Sequence, residues 1–530
     1  MMSAGIAIDE ISELKKLLVK KDEQIRELKE TVARLEALHF GPKTEKWTTV
    51  DDTQAALFNE AEDNAFNQND AKQQTAVVET IELGAHTRRK SKRNQGRKPI
   101  SKDIPREEKI YDIDEEEKVC ACGNMKTCIG ADESERVKII PAVVKVIHEK
   151  KLKYACKKCE GTTADEPAVT TAVGRKHLIP GSIADESLLA WVGSEKFEYG
   201  LPLYRQTKRL AHIGINIPRA TLGNLMIKAA NKGKILYDLL KEYILSGSII
   251  NADETRLQVI NEPGRKAKDQ SWMWVFLGGS IPGRLCVLFS YAETRASVVP
   301  FEFLKDYTGW LQTDDFSAYQ TALGKINTAD MKKIIRVLCW SHSRRKFFDA
   351  WKVTKSEHAK KAIEYIGKLF GLEKLRTDLS LDDFFRDRKI RADEIFKEFK
   401  EWLIEISNQT PPKGLLGRAI AYTLDNWEGL IVYVNHPLLT PSNNLAENAI
   451  RPFVIGRKNW LFCVTPEGAW ASAIWYSLIE SAKLNKLIPY DYLYYIFMKL
   501  PYAKSREDYM ALLPFNLTQE MIKAALAQVE

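Results

Sequence analysis

The feature that most limits what this chain can fold into is a trio of apolar, strand-like runs. They are IINADETRLQVI from Ile249, SWMWVFLGG from Ser271 and RLCVLFSYAE from Arg284, separated by polar and Gly/Pro-containing turns. Runs of this kind, bounded by turn residues, predict strands. A helix near residues 296 to 305 follows, then a short strand, GWLQTDD, and another, IIRVLCWSH. Three antiparallel strands followed by alternating helix and parallel strand predict an α/β unit around a mixed sheet. Asp253 lies inside the first run and Asp314 ends the fourth, with Asp315 beside it. A carboxylate there is costly unless it is hydrogen-bonded, metal-bound or at the sheet edge. Two on neighbouring strands repel unless a cation sits between them, and Mg²⁺ prefers such hard oxygen ligands. Taken singly, each acid also fits an ordinary turn former or solvated strand end.

A third acid, Glu447, stands in NNLAENAIRPFVIGRKNWLF (Asn443 to Phe462), among asparagines and the cations Arg451, Arg457 and Lys458. Asn444 and Glu447, three apart at a helix start, equally fit a capping box. Two further basic clusters contain Arg88, Arg89, Lys90, Arg97 and Lys98, and Arg344, Arg345 and Lys346. The net charge of +8 is mild, but its clustering suits a polyanion better than a small neutral substrate.

At 530 residues several domains are expected. Residues 1–45 predict a coiled-coil oligomerisation helix, because Ile11, Leu14, Leu18, Ile25, Leu28, Val32 and Leu35 form a narrow heptad seam. The alternative is a surface helix packed on its own domain. Residues 46–85 form an acidic linker expected to be disordered, and residues 86–108 a basic DNA-binding segment containing GRKPI. That segment would suit an A·T-rich minor groove, or serve as a solvated tether. In residues 109–168 the pairs Cys120/Cys122 and Cys156/Cys159 predict a zinc ribbon with one structural Zn²⁺, with Cys128 spare; the alternative is four unrelated reduced thiols. Residues 175–246 contain a helix, a break at Gly214 and a second start at Ile217-Pro218 feeding a short helix over Thr221 to Ala230, a helix-turn-helix-like signal that ordinary helical hairpins share. The catalytic core is expected in 247–346 and 437–470, interrupted by a helical insertion at 347–436 and followed by a helical tail at 471–530 whose tyrosines belong to the core. No stretch approaches the roughly 18 apolar residues of a membrane span, and the N-terminus lacks a signal-peptide pattern, so a cytoplasmic, nucleoid location is expected.

Taken together, these blocks resemble the transposases of bacterial insertion sequence family 66, of the DDE group. The likeness runs through HFGPKTEK, GRKPI, the cysteine module, GLPLYRQ, ADET, LQTDDFSAY, CWSHSRRKF, NNLAENAIRP, GRKNWLF and SLIESAK. It implies a multidomain α+β chain whose α/β core is ribonuclease H-like. Asp253, Asp314 and Glu447 would be its catalytic triad, with Asp315 and His342 as auxiliaries. Cys339 and His342 match a C-x-x-H element, although Cys339 alone reads as a buried strand residue. Arg457, Lys458, Asn459 and Trp460 match a DNA-holding block. Three positions depart from the family pattern: Asp315 replaces Gly, Ser442 replaces Asp, and Asn448 replaces Arg.

The resemblance further implies cleavage and strand transfer at terminal inverted repeats, using two Mg²⁺ ions for which Mn²⁺ can substitute. Double-stranded DNA, a second copy of the chain and small accessory proteins would be its partners, and no membrane. The rivals are a catalytically inactive DNA-binding derivative of a transposase and a ribonuclease H-like nuclease that cuts without joining.

Overall fold

In the computed structural model, residues 144–155, 169–329, 334–377 and 379–528 are described, with scattered positions between 17 and 32. The chain divides into two compact units, residues 70–174 and residues 1–69 with 175–530. In the smaller unit, β1 (Lys153–Ala155) pairs antiparallel with β2 (Val169–Thr171), and Ala155 lies opposite Val169. Cys120, Cys122, Cys128, Cys156 and Cys159, the acidic linker and the basic segment with Arg88, Arg89, Lys90, Arg97 and Lys98 lie outside the described residues. Of the heptad seam, Leu18, Ile25, Leu28 and Val32 are helical and exposed.

From residue 175 onward the larger unit runs through α1 (Glu186–Phe197), α2 (Leu203–His212) and α3 (Arg219–Leu245). Gly214, at φ 88°, makes the left-handed turn between α2 and α3 that a side chain would strain. The second helix is not the short one expected from sequence. It runs for 27 residues, because Leu225, Met226, Ala229, Leu236, Leu240 and Ile244 keep one stripe buried throughout its length. Tyr237 on this helix donates to the Phe289 carbonyl at 2.9 Å, tying its body to the sheet.

That sheet comprises β3 (Ile249–Gln258), β4 (Gln270–Gly278), β5 (Cys286–Ala292), β6 (Gly309–Thr313) and β7 (Ile334–Leu338), in the order β5-β4-β3-β6-β7. β3 pairs antiparallel with β4, and β4 with β5, whereas β3, β6 and β7 run parallel. The parallel half requires crossovers, supplied by α4 (Val298–Leu304) and α5 (Ser317–Ala329). The last strand is shorter than expected. It stops at Leu338, and Cys339 is the N-cap of α6 (Trp340–Thr354), so the CWSH block turns the chain from strand into helix.

Next come α7 (Glu357–Leu372), α8 (Leu381–Ser407), α9 (Leu415–Asp425) and α10 (Trp427–Ile431). With α6 they enclose an aromatic core in which Trp340 stacks near Phe396 and meets Trp427 edge-on. The chain then re-enters the sheet region through α11 (Asn444–Trp460) and α12 (Pro466–Leu484). An edge strand leaves unpaired backbone groups that invite aggregation. Here α12 covers β5: Ser477 and Ser481, one helical turn apart, accept from the Phe289 and Val287 amides at 2.8 and 3.0 Å. Tyr476 and Tyr492 in the tail are buried, as core aromatics.

Candidate functional site

Side chains alternate across a strand, so Asn251, Asp253 and Thr255 share one face of β3. Helix α11 lies against that face. At its start, Asn443 donates to the Ala252 carbonyl at 2.8 Å and accepts from the Asn251 amide at 3.0 Å. Near its end, Arg457 donates to Thr255 Oγ1 at 3.1 Å and to the Arg256 carbonyl. The capping-box alternative for Glu447 is not formed. The N-cap is Asn443 and makes no side-chain cap hydrogen bond, because its amide is spent on β3.

Asn251 also donates to Gln312 Oε1 at 2.9 Å, and Gln312 donates to the Thr440 carbonyl at 2.7 Å. Three buried amides therefore link β3, β6 and the start of α11. Asn251 and Gln312 each sit two residues before an aspartate, and Asn443 four residues before the glutamate. Asp253 feels the charges of both Asp314 and Glu447, although the oxygens of the three acids do not all lie within 4.8 Å of one another. Burial, reinforced by the charges of Glu254, Glu447 and Asp314, pushes the Asp253 carboxyl up to about 8, although the Glu254 amide donates to it at 2.8 Å.

The other nearby charges are already committed. Glu254 accepts from Arg295 at 2.5 Å and from Tyr319 at 2.8 Å, and Arg295 lies 3.7 Å over the Phe316 ring. Asp315 accepts from Asn426 at 3.0 Å and faces Arg336 at 3.8 Å, whereas Asp314 folds back to accept from the Phe316 amide at 3.0 Å. Arg336 steadies the same turn, donating to the Asp314 carbonyl at 2.7 Å. Among the described residues no lysine or arginine pairs with Asp253, Asp314 or Glu447. Glu447 Oε1 is buried without a hydrogen-bond partner. Such a set of unneutralised oxygens fits a hard divalent cation.

His342, in the first turn of α6, holds Nε2 4.0 Å from Glu447 Oε1, and burial lowers its pKa so that the ring is neutral. Cys339, His342 and Glu447 have donor atoms within 4.8 Å of one another. The buried Cys339 sulfur accepts from the Asn443 amide at 3.2 Å, and burial pushes its thiol up, so it serves as a structural acceptor. A second cluster, His177, Asp185 and Glu186, surrounds Arg175, which pairs with both acids and supplies the neutralising charge itself.

The expected DNA-contacting residues divide by exposure. Arg345, Lys458 and Asn459 are exposed and Arg451 is half-buried, whereas Arg344 is buried at 8% exposure and Arg457 is turned onto β3. Trp460 is half-buried, with the Lys196 ammonium 5.1 Å over its ring. Sequence reasoning missed the three amides. Their signal was available as the two-residue spacing of Asn251 and Gln312 from the aspartates, which places amide and acid on one strand face.

Comparison with known proteins matches most of the chain to a single group. The model described as "Transposase IS66 family" covers residues 181–471, and its "IS66 C-terminal element" covers 477–515. The "zinc-finger binding domain of transposase IS66" matches residues 117–160, and "Transposase C of IS166 homeodomain" matches 27–108. Among relatives, the uncharacterized protein y4jD of Sinorhizobium fredii is 29% identical over 94% of this chain and 96% of its own length. The uncharacterized protein y4qI of the same organism is 27% identical over 97% of this chain and 93% of its own length.

Proposed function

Since the chain belongs to the IS66 transposase family, we propose that it acts by DDE chemistry on the ends of an insertion sequence, with Asp253, Asp314 and Glu447 as its catalytic carboxylates on a ribonuclease H-like core. The observation that carries this reading is that, among the described residues, no lysine or arginine pairs with these acids and Glu447 Oε1 is buried without a hydrogen-bond partner. Asp253, Asp314 and Glu447 would hold Mg²⁺. When bound, Mg²⁺ supplies an activated water and charge stabilisation at the phosphoryl centre.

The chain's own residues do the rest. The buried amides would support Asp253 on β3, Asp314 just past the end of β6 and Glu447 in the first turn of α11 from behind. Neutral His342 is available to donate a hydrogen bond to a phosphate oxygen beside Glu447. Arg345, Lys458 and Asn459 face solvent, where they would hold the DNA backbone and register the duplex. Asp315 is a support of the Asp314 turn, engaged with Asn426 and Arg336.

Beyond the core, Cys120, Cys122, Cys156 and Cys159 would hold one structural Zn²⁺. The zinc-finger match and the β1–β2 pairing next to Cys156 support this. The heptad helix would bring two chains together to pair two DNA ends, and residues 86–108 would add salt-dependent affinity. Among the described residues no helix is long and apolar enough to cross a membrane, in keeping with a protein that meets DNA in the nucleoid.

The test is a cleavage and strand-transfer assay on terminal inverted repeats with Mg²⁺ or Mn²⁺. Loss of both steps in Asp253→Asn and Glu447→Gln, with DNA binding retained, is expected; activity surviving either change rejects the assignment. One observation favours the inactive, DNA-binding alternative: Asn448, standing where the family has Arg, leaves its Oδ1 buried and unpartnered. An unmodified chain that binds the repeats but never cuts them would establish that alternative. Hydrolysis without joined products would establish the nuclease.

A further inference from the structure

The turn leaving α11 combines three properties that its packing does not require. Leu461 has φ 68° and ψ −53°, and the Phe462 amide donates back to the Trp460 carbonyl at 2.9 Å. This is a γ-turn with positive φ at its centre, a rare and strained form, and here the central residue is a bulky leucine rather than glycine. Nothing buries that leucine in return. Leu461 is 62% exposed, Phe462 40% and Val464 53%, three large apolar side chains projecting from one short segment.

The segment is also braced on both sides. Before it, Arg457 is bonded to Thr255 and to the Arg256 carbonyl, and Trp460 packs edge-on against Phe453 at 5.5 Å beneath the Lys196 ammonium. After it, the chain runs alongside the end of β3. Cys463 donates to the Gln258 carbonyl at 2.9 Å, and the Ile260 and Asn261 amides donate to the Cys463 and Val464 carbonyls at 3.0 and 2.9 Å. A strained backbone persists only where its surroundings over-determine it, and such positions concentrate at functional sites.

Resting on the DNA-acting reading above, we propose that Leu461 and Phe462 form an apolar wedge that enters a base step of duplex DNA and unstacks it. The choice of DNA as occupant follows from charge. Lys458 and Asn459 are exposed immediately before the tip, and no acid occurs between Glu447 and Glu467. Apolar side chains flanked by cations are how proteins kink or unstack a duplex while gripping its phosphates. The geometry also sets a distance. Leu461 lies fourteen positions after Glu447, about 21 Å along α11. A duplex lying along the helix would therefore meet the wedge on the order of six base pairs from the phosphate beside Glu447. An unstacked step there would let the strand bend toward the carboxylates.

The experiment measures binding of the full-length chain to a mixed-sequence duplex and to the same duplex carrying one central mismatch, with 2-aminopurine beside the mismatch. Because a mismatched step is already weakened, the parent chain should prefer it about tenfold and brighten the fluorophore. The L461A/F462A variant should lose both the preference and the fluorescence change. It should keep the parent's salt dependence, since no phosphate contact is removed, whereas Lys458→Ala should lower that slope. Leu461→Gly separates strain from packing: relief of the positive φ should raise Tm by about 2–4 °C while the mismatch preference falls. A parent chain with no mismatch preference overturns the wedge, as does an alanine variant that retains it. So does a variant whose only change is its oligomeric state, which would assign the patch to a second copy of the chain. Asp253→Asn should leave all these binding results intact, so failure of the carboxylate assignment and failure of the wedge are read separately.

Discussion

Two ionisable groups in this protein are withdrawn from water in opposite ways. Arg388, wholly buried on α8, is surrounded by acceptors: the Leu439 and His436 carbonyls at 2.8 Å, the Tyr433 carbonyl at 3.4 Å and Glu373 at 3.2 Å. Asp253 on β3 has one backbone amide and three like charges around it. The first arrangement satisfies both terminal guanidinium nitrogens within the chain and ties down the loop that leads to Asn443. The second is complete only with a cation from outside. A buried charge with its partners supplied belongs to the architecture, and one whose partners are withheld marks where chemistry is to occur.

The comparison breaks most sharply at the carboxylates. Glu447→Gln and Asp253→Asn should each lower strand transfer by about a thousandfold or more, as loss of a catalytic metal ligand does, with DNA affinity nearly unchanged in a filter-binding or anisotropy assay. The reverse holds at Arg388. Arg388→Met should cost about 3–5 kcal/mol in denaturant unfolding, because Glu373 and three carbonyls lose their donor. Near-parental stability of that variant would remove the structural half of the contrast.

Between these extremes stand the amides. Gln312→Leu should cost about 1–3 kcal/mol by orphaning one Asn251 N–H and the Thr440 carbonyl. It should also raise the Mg²⁺ concentration needed for half-maximal activity about 10- to 100-fold, as loss of support behind a metal ligand does. An unchanged metal requirement would show that the acids hold their positions without the frame.

The pH response sharpens the comparison further. The Asp253 carboxyl is raised from an ordinary value of 3.8 to about 8, so between those pH values the folded chain retains a proton that the unfolded chain has lost. Metal-free stability therefore falls as pH rises through that window, and divalent metal must displace the proton. The Mg²⁺ requirement should drop by up to about tenfold per pH unit toward pH 8 and level off above it. The smallest effect expected is a gain: metal-free Asp253→Asn at pH 8 should melt about 2–4 °C higher than the parent, since an unpaired charge is removed. A lower Tm in that variant would mean Asp253 is already compensated.

Much of the core was legible in the sequence because its determinants are local. Apolar runs with turn residues between them specified the five strands of the sheet, and an acid embedded in such a run announced itself by its cost. The helical character of residues 347–436 was legible for the same reason, as a long amphipathic stretch. Misread features were those decided by distant packing. The second helix after Gly214 continues to Leu245 because the sheet and α12 lie beneath it, and CWSH leaves the sheet at Cys339 because that sulfur receives the Asn443 amide.

By itself, the sequence determined which residue types could answer one another: aspartates in strands, a glutamate beginning a helix, amides near each. Only the tertiary structure decided that Asn251 meets Gln312, 61 residues away, and Asn443, 192 residues away, or that Asp315 turns toward Asn426 while Asp314 folds back onto the Phe316 amide. The physical reason is that strand and helix propensities act over a few residues. A hydrogen bond between buried amides exists only once the chain has closed the loop between them.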